Sequence, residues 1–113
     1  MRIKSTHLVI LALLWAPSPS LAENWTVSYY KHGKITANGE AFDPMGATCA
    51  HRSLPFGALL RLTASDGTSV ICRVNDRGPF VPGRELDVSL GLAQMLGMLT
   101  VGVMHLDITR VGG

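Results

Sequence analysis

The chain has 113 residues, with Lys and Arg totalling 10, Asp and Glu totalling 8, 4 His and only 2 Cys. That length supports one small domain and no more. A balance this close to neutral excludes the strongly basic face with which proteins hold a phosphate backbone, so no nucleic-acid partner is expected.

The first residues read as an export signal over 1–22. Arg2 and Lys4 supply a positive start, Leu8 to Ala16 is an apolar run, and Pro17 and Pro19 break it. Ser20-Leu21-Ala22 then offers the small residues that a signal peptidase reads. The apolar run is too short to span a bilayer, so no stable membrane anchor is expected after cleavage. No cysteine follows the cleavage point, which argues against a lipoprotein. The mature domain should cover 23–113 and work in the periplasm or outside the cell. Removal of Arg2 and Lys4 leaves basic and acidic residues in equal number, so the mature domain is near neutral and compatible with a neutral polysaccharide.

Trp25 to Tyr30 is rich in β-branched and aromatic residues and reads as the first strand. Lys31 to Gly46 is polar and punctuated by glycine. Asn38-Gly39 is a turn signal with no alternating strand before it, so the segment reads as a structured loop rather than a hairpin. Loops of that length in small domains usually serve function, and Phe42 with Glu40 and Asp43 points the same way. Ala47 to Leu54 suggests a short helical turn stopped by Pro55. Ala58 to Ala64 and Thr68 to Val74 form two strands joined by the Asp66-Gly67 turn.

The Asn75-Asp76-Arg77-Gly78-Pro79-Phe80 stretch follows. Asn and Asp before Gly-Pro start turns through their own side chains, and the mouth of a strand is where loops on a rigid scaffold carry function. A surface turn with a solvated Asp-Arg pair is the plainer alternative. Glu85 to Val88 is a short strand. Ser89 caps a helix to about Leu96 with Gly97 as its stop, and Leu92, Met95, Leu96 and Leu99 fall at helical spacing as its buried face. Gly102 to Val111 closes the chain as a strand, with Met104, Leu106 and Ile108 on one side. Pattern alone supports a small, mostly antiparallel β-barrel with a short helix.

Cys49 and Cys72 are the only cysteines. In an exported chain an even pair reads as a disulfide, and closing this loop is worth roughly 3 kcal/mol in the chain-entropy view. A redox pair or half a zinc site would need the closer C-x-x-C spacing. Such a bridge holds His51 two residues from one end and Asp76 four from the other, bringing those segments together. No histidine spacing suggests a metal set, no glycine-rich phosphate loop is present, and no serine sits in a nucleophile elbow. No metal or cofactor is therefore expected, and the plausible chemistry is acid/base work by carboxylates near turns: Glu40, Asp43, Asp76 and Asp87.

Four motifs occur in order: Thr36-Ala37-Asn38-Gly39-Glu40 with Phe42-Asp43; Ala50 to Gly57; Arg73 to Phe80; and Gly83-Arg84 with Leu86-Asp87-Val88-Ser89. Over nearly the whole mature length the chain closely resembles the RlpA-like (rare lipoprotein A) family. The resemblance implies a mainly β fold, a six-stranded double-psi β-barrel with one or two short helices, as in expansins and barwins. It also implies a cell-envelope protein acting on peptidoglycan glycan strands, with lytic transglycosylase activity that leaves a 1,6-anhydro ring. Motif by motif, it makes Asp76 the general acid/base, with His51 and Glu40 as further catalytic candidates, and gives Asp87 an acidic position lining the groove.

Asn75, Arg77, Tyr30 and Phe42 are the remaining candidates for substrate binding. Tyr29, Tyr30 and Phe42 could serve as sugar platforms, whereas Trp25 and Phe56 are expected in the core. Arg77 should face a substrate oxygen or a structural partner rather than Asp76. Because the sugar's own C6 hydroxyl is the nucleophile, one dominant carboxyl suffices and the separated pair of a hydrolase is not required. Asp87 or Glu40 would be its neighbouring carboxylate. A monomer is expected. Family namesakes are lipoproteins and often carry a separate peptidoglycan-binding repeat, and this chain shows neither. The competing readings are a non-catalytic, expansin-like glycan-binding module and, less well matched by two cysteines, a barwin-like inhibitor.

Overall fold

The computed structural model describes residues 22–113, so the expected leader over 1–22 lies, but for its last residue, outside the described residues. Among the described residues there are six strands, β1 (Glu23–Tyr30), β2 (Thr48–Ala50), β3 (Leu59–Thr63), β4 (Ser69–Asp76), β5 (Leu86–Ser89) and β6 (Val103–Gly112), with one helix, α1 (Leu90–Leu96), between β5 and β6. They close in the order β1-β5-β2-β4-β3-β6. Closure leaves no free strand edge, which in a sheet this small would invite pairing with another chain.

Four of the six pairings are antiparallel, and two are parallel: β1 with β5 and β2 with β4. The β3–β4 hairpin turns at the Asp66-Gly67 step as its sequence requires; Gly67 has φ 90° and Thr68 N donates to Asp66 Oδ1 at 2.9 Å. Alternating residues fill the interior, among them Val27, Leu60, Leu62, Val74, Leu86, Val88 and Leu106, all essentially without exposure. Burying each aliphatic chain of that size contributes about 1.5–3 kcal/mol. Cys49 on β2 and Cys72 on β4 form the expected disulfide within this core, their Cα atoms 5.7 Å apart.

Three expectations are corrected. The Ala47–Leu54 segment contains no helical turn; Thr48–Ala50 is instead a barrel strand, paired with β4 on one side and β5 on the other. A three-residue strand between two longer ones draws its stability from cross-strand pairing, so its own sequence carries little signal. The buried face of α1 consists of Gly91, Leu92, Ala93 and Leu96, while Met95 and Leu99 are exposed. Gly97 ends the helix in the left-handed region at φ 73°, which takes Leu99 out of helical phase and seats Met98 in the core instead. Phe56 is also not in the core: it is exposed, with the Arg77 guanidinium 3.9 Å above its ring. Trp25 is half-buried and packs against the core edge.

The long Lys31–Gly46 segment is ordered by local bonds rather than by strands. A single antiparallel bridge joins Ile35 to Ala41, Thr36 N donates to the Glu40 carbonyl at 2.8 Å, and Gly39 turns at φ 93°. The far end of the loop rests on α1, where Gly91 N donates to the Pro44 carbonyl at 2.9 Å.

Candidate active site at the ends of β1 and β4

Along β4, Val70, Cys72 and Val74 point inward by the two-residue alternation of a strand. That alternation would bury Asp76 as well. A β-bulge intervenes: Cys49 pairs with Val74 but Ala50 pairs with Asp76, leaving Asn75 as the extra residue. Bulges re-aim the side chains that follow them. Val74 and Asn75 are both buried in succession, and Asp76 emerges half-exposed at the end of the strand.

There its two oxygens have different surroundings. Oδ1 accepts the backbone N–H groups of Ala37 and Arg77, each at 2.9 Å. Oδ2 receives, among the described residues, only the Tyr30 hydroxyl, at 3.4 Å. Tyr30 ends β1, and its ring stacks on Phe42 with centroids 4.7 Å apart. Two residues earlier on the same face of β1, the Ser28 hydroxyl donates to Asp87 Oδ1. Burial first, and then the negative charges of Asp76 and Asp87, hold the Tyr30 phenol well above its ordinary value, so it remains a donor. The structure therefore gathers Asp76, Tyr30 and Phe42 into one cluster, with Asp87 close enough for its charge to act on Tyr30.

The other candidates are engaged elsewhere. Glu40 forms a two-pronged ion pair with Arg73, 2.6 and 2.8 Å, and also accepts from Asn38 Nδ2. The Arg73 and Asn38 bonds lower its carboxyl to about 2, fixing it as a carboxylate. Asn75 lies beneath the loop, 2% exposed, and its carbonyl accepts Asn38 N at 3.1 Å; it supports the loop and does not face the groove. Arg77 points to structural partners, donating to the carbonyls of His51 (3.2 Å) and Leu54 (2.8 Å).

His51 is linked to Asp76 through backbone, its N–H donating to the Asp76 carbonyl at 3.2 Å. Its ring stacks on Trp25 at 5.1 Å. Nδ1 accepts the N–H groups of Ser53 and Leu54, at 3.1 and 3.0 Å, so the ring proton resides on Nε2. Desolvation, then the charges of Arg52 and Arg77, lower its pKa and keep the imidazole neutral.

Sequence reasoning missed Ser28, Arg73 and the Ala37 amide. Ser28 was the accessible one, because residues two apart on a strand share a face and Tyr30 was already a candidate. Arg73 carried no spacing signal toward Glu40, thirty-three positions away.

The lytic transglycolase family matches residues 22–108 of the chain. The chain belongs to that family. Among its relatives, the probable endolytic peptidoglycan transglycosylase RlpA of Nostoc is 51% identical over 81 residues, covering 71% of this chain and 22% of the relative. The corresponding protein of Treponema pallidum is 44% identical over 102 residues, 87% of this chain and 32% of its own. The endolytic peptidoglycan transglycosylase RlpA of Pseudomonas aeruginosa is 45% identical over 90 residues, 76% and 26%. This RlpA-like chain thus spans about a third or less of the length of the curated relatives it matches. Solved structures confirm the double-psi β-barrel. A Streptomyces papain inhibitor superposes with a TM-score of 0.67 at 18% identity, over 84% of this chain and 99% of the inhibitor. A Clavibacter michiganensis expansin superposes with a TM-score of 0.66 at 18% identity, over 80% of this chain and 50% of the expansin.

Proposed function

We propose that this domain is an endolytic peptidoglycan transglycosylase in the cell envelope, with Asp76 as its general acid/base. The observation that carries the reading is the asymmetry of Asp76: one oxygen holds two amides, the other, on a half-exposed residue at the end of β4, a single long hydrogen bond. A carboxyl oriented through one oxygen presents the second in a fixed direction, which general acid/base catalysis requires. The relatives named for the activity supply the substrate class.

In this reading, protonated Asp76 gives its proton to the glycosidic oxygen between MurNAc and GlcNAc as the C1–oxygen bond breaks. The resulting carboxylate takes the proton from the C6 hydroxyl of the MurNAc unit as that oxygen closes on C1. The products are a free 4-hydroxyl on GlcNAc and a 1,6-anhydro-MurNAc end, and Asp76 regains its proton without water entering the balance. Asp87 contributes negative charge near the developing oxocarbenium centre. Tyr30, whose phenol burial and the nearby carboxylates keep as a donor, orients Asp76 through Oδ2 and with Phe42 forms the sugar platform. His51 acts through its Nε2–H as a donor to substrate. Glu40, held as a carboxylate by Arg73, fixes the loop that delivers the Ala37 amide to Asp76. The buried disulfide accords with an oxidising compartment outside the cytoplasm.

The test is digestion of purified sacculi, and of strands stripped of stem peptides, with wild type and Asp76→Asn, followed by mass spectrometry. New 1,6-anhydro-MurNAc ends from wild type and none from the variant support the assignment. Binding without new ends would instead favour an expansin-like wall-binding module.

A further inference from the structure

A groove of about 550 Å³ at the end of β1 is lined by Ser28 to His32, Arg84 and Val101–Val103. Ser28 and Tyr30 also hold Asp87 and Asp76, so the groove shares two of its lining residues with the acid site. Its charges are segregated. Among the described residues the acids are bonded only by neutral donors: a phenol, a serine hydroxyl and backbone amides. Lys31 and Arg84 line the groove, and no acidic residue among those described lines it with them. Among the described residues the one ion pair is Arg73–Glu40, so neither Lys31 nor Arg84 is matched to a carboxylate of this protein. Arg84 is half-buried, and its backbone is pinned, its N–H to the Val81 carbonyl at 3.2 Å and its carbonyl to Arg52 Nη1 at 2.6 Å.

Resting on the proposed transglycosylase reading, we propose that Lys31 and Arg84 form a carboxylate subsite for an acidic substituent of the glycan strand, next to the bond presented to Asp76. A strand of alternating sugars is neutral along its backbone and anionic only at its muramic substituents. A cationic pair in the groove that shares Tyr30 with the acid would therefore fix which glycosidic oxygen faces Asp76. The same chemistry is offered by the lactyl carboxylate of a bare muramic unit and by the acidic groups of a stem peptide. Arg suits such a role through its planar two-pronged geometry, and Lys as a mobile point charge.

The experiment compares wild type with Lys31→Gln/Arg84→Gln on soluble strands in four forms. These are strands bearing stem peptides, strands stripped of them, and each of the two after amidation of its carboxylates. Binding is measured by calorimetry at low and high salt, and anhydro ends are counted in parallel. The expected result is an affinity loss of about tenfold in the variant on carboxylate-bearing strands, the combined effect of two partly exposed charge pairs. Variant and wild type should bind amidated strands alike, and wild-type affinity should fall with salt while the variant's stays flat. Loss on stripped strands identifies the lactyl carboxylate; loss confined to peptide-bearing strands identifies the stem peptide. Equal losses on charged and amidated strands, or no loss on either, overturn the subsite. The two substituted residues lie on the groove rim, so unchanged thermal unfolding excludes a folding defect. Carboxylate-dependent binding without anhydro ends would reject the transglycosylase reading and leave the subsite standing; anhydro ends with no charge dependence would do the reverse.

Discussion

The Tyr30 hydroxyl lies 3.4 Å from Asp76 Oδ2, and it is the one side chain bonded to that oxygen among the described residues. Tyr30→Phe keeps the ring stacked on Phe42 and removes only this bond. We expect release of anhydro ends to fall about tenfold, the cost of one hydrogen bond to a charged group, with strand affinity little changed. In an alkaline absorbance titration the same substitution should remove a phenol that ionises later than the ordinary value near 10, since burial and two neighbouring carboxylates oppose its ionisation.

The Glu40–Arg73 pair sets a pH window for stability. Glu40 falls from its ordinary 4.5 to about 2 in the folded protein. A depressed carboxyl stabilises the fold above its unfolded value and loses that contribution as pH falls through its folded one. Melting temperatures of wild type and Glu40→Gln should therefore differ most above pH 4.5 and converge near pH 2. Parallel curves across that range would mean the pair contributes nothing that depends on ionisation.

His51 follows the same sign. Its folded pKa lies below 6.5, so its contribution is complete above pH 6.5 and is lost as acid protonates the ring and displaces the Ser53 and Leu54 amides from Nδ1. Nitrogen NMR at neutral pH should show an unprotonated Nδ1 and a proton on Nε2. A protonated Nδ1 would refute the donor role assigned to the ring.

Gly91 is a packing requirement rather than a flexible point. A Cβ there would lie 2.9 Å from both the Cα and the carbonyl oxygen of Met45, and backbone cannot swing aside as a side-chain tip can. Gly91→Ala should destabilise the domain by about 1–3 kcal/mol in urea unfolding, despite the better helix propensity of alanine. The displaced loop also carries Phe42, so strand binding should weaken as well.

Replacing Cys49 and Cys72 by Ala should cost about 2–4 kcal/mol, because the bridge closes a loop across a small core. Reducing agent should lower the wild-type melting temperature and leave that of the double variant unmoved.

Local signals carried much of this architecture. The Asp66-Gly67 turn, the Ser89 cap and the Gly97 stop are written in residue types whose conformational preferences act within a few positions. Thr48–Ala50 shows the opposite case: its strand identity comes from β4 and β5, elements more than twenty and thirty residues away, and three residues cannot announce a period. Met95 and Leu99 were misplaced because helical spacing was extended beyond a helix that Gly97 ends. At the site, the motif residues Asp76, Asp87 and Phe42 were legible, and their mutual arrangement was not. Tyr30 comes to Asp76 because β1 lies across the barrel, and Glu40 goes to Arg73 because its loop folds onto β4. Both are products of closure, which no short window of sequence contains.

The bulge at Asn75 works as a parity switch. Val74 and Asp76 stand two positions apart, an even count that an unbroken strand would turn to the same inner face; the extra residue cancels it and turns the carboxyl out. Any pairing of β4 with β2 that closed the bulge while keeping Asn75 would aim Asp76 into the hydrophobic interior, whereas losing Asn75 would set Asp76 directly after Val74, on the outer face of a regular ladder. The acid's position on the outer surface thus depends on a count of residues and a register, not on any contact the acid makes.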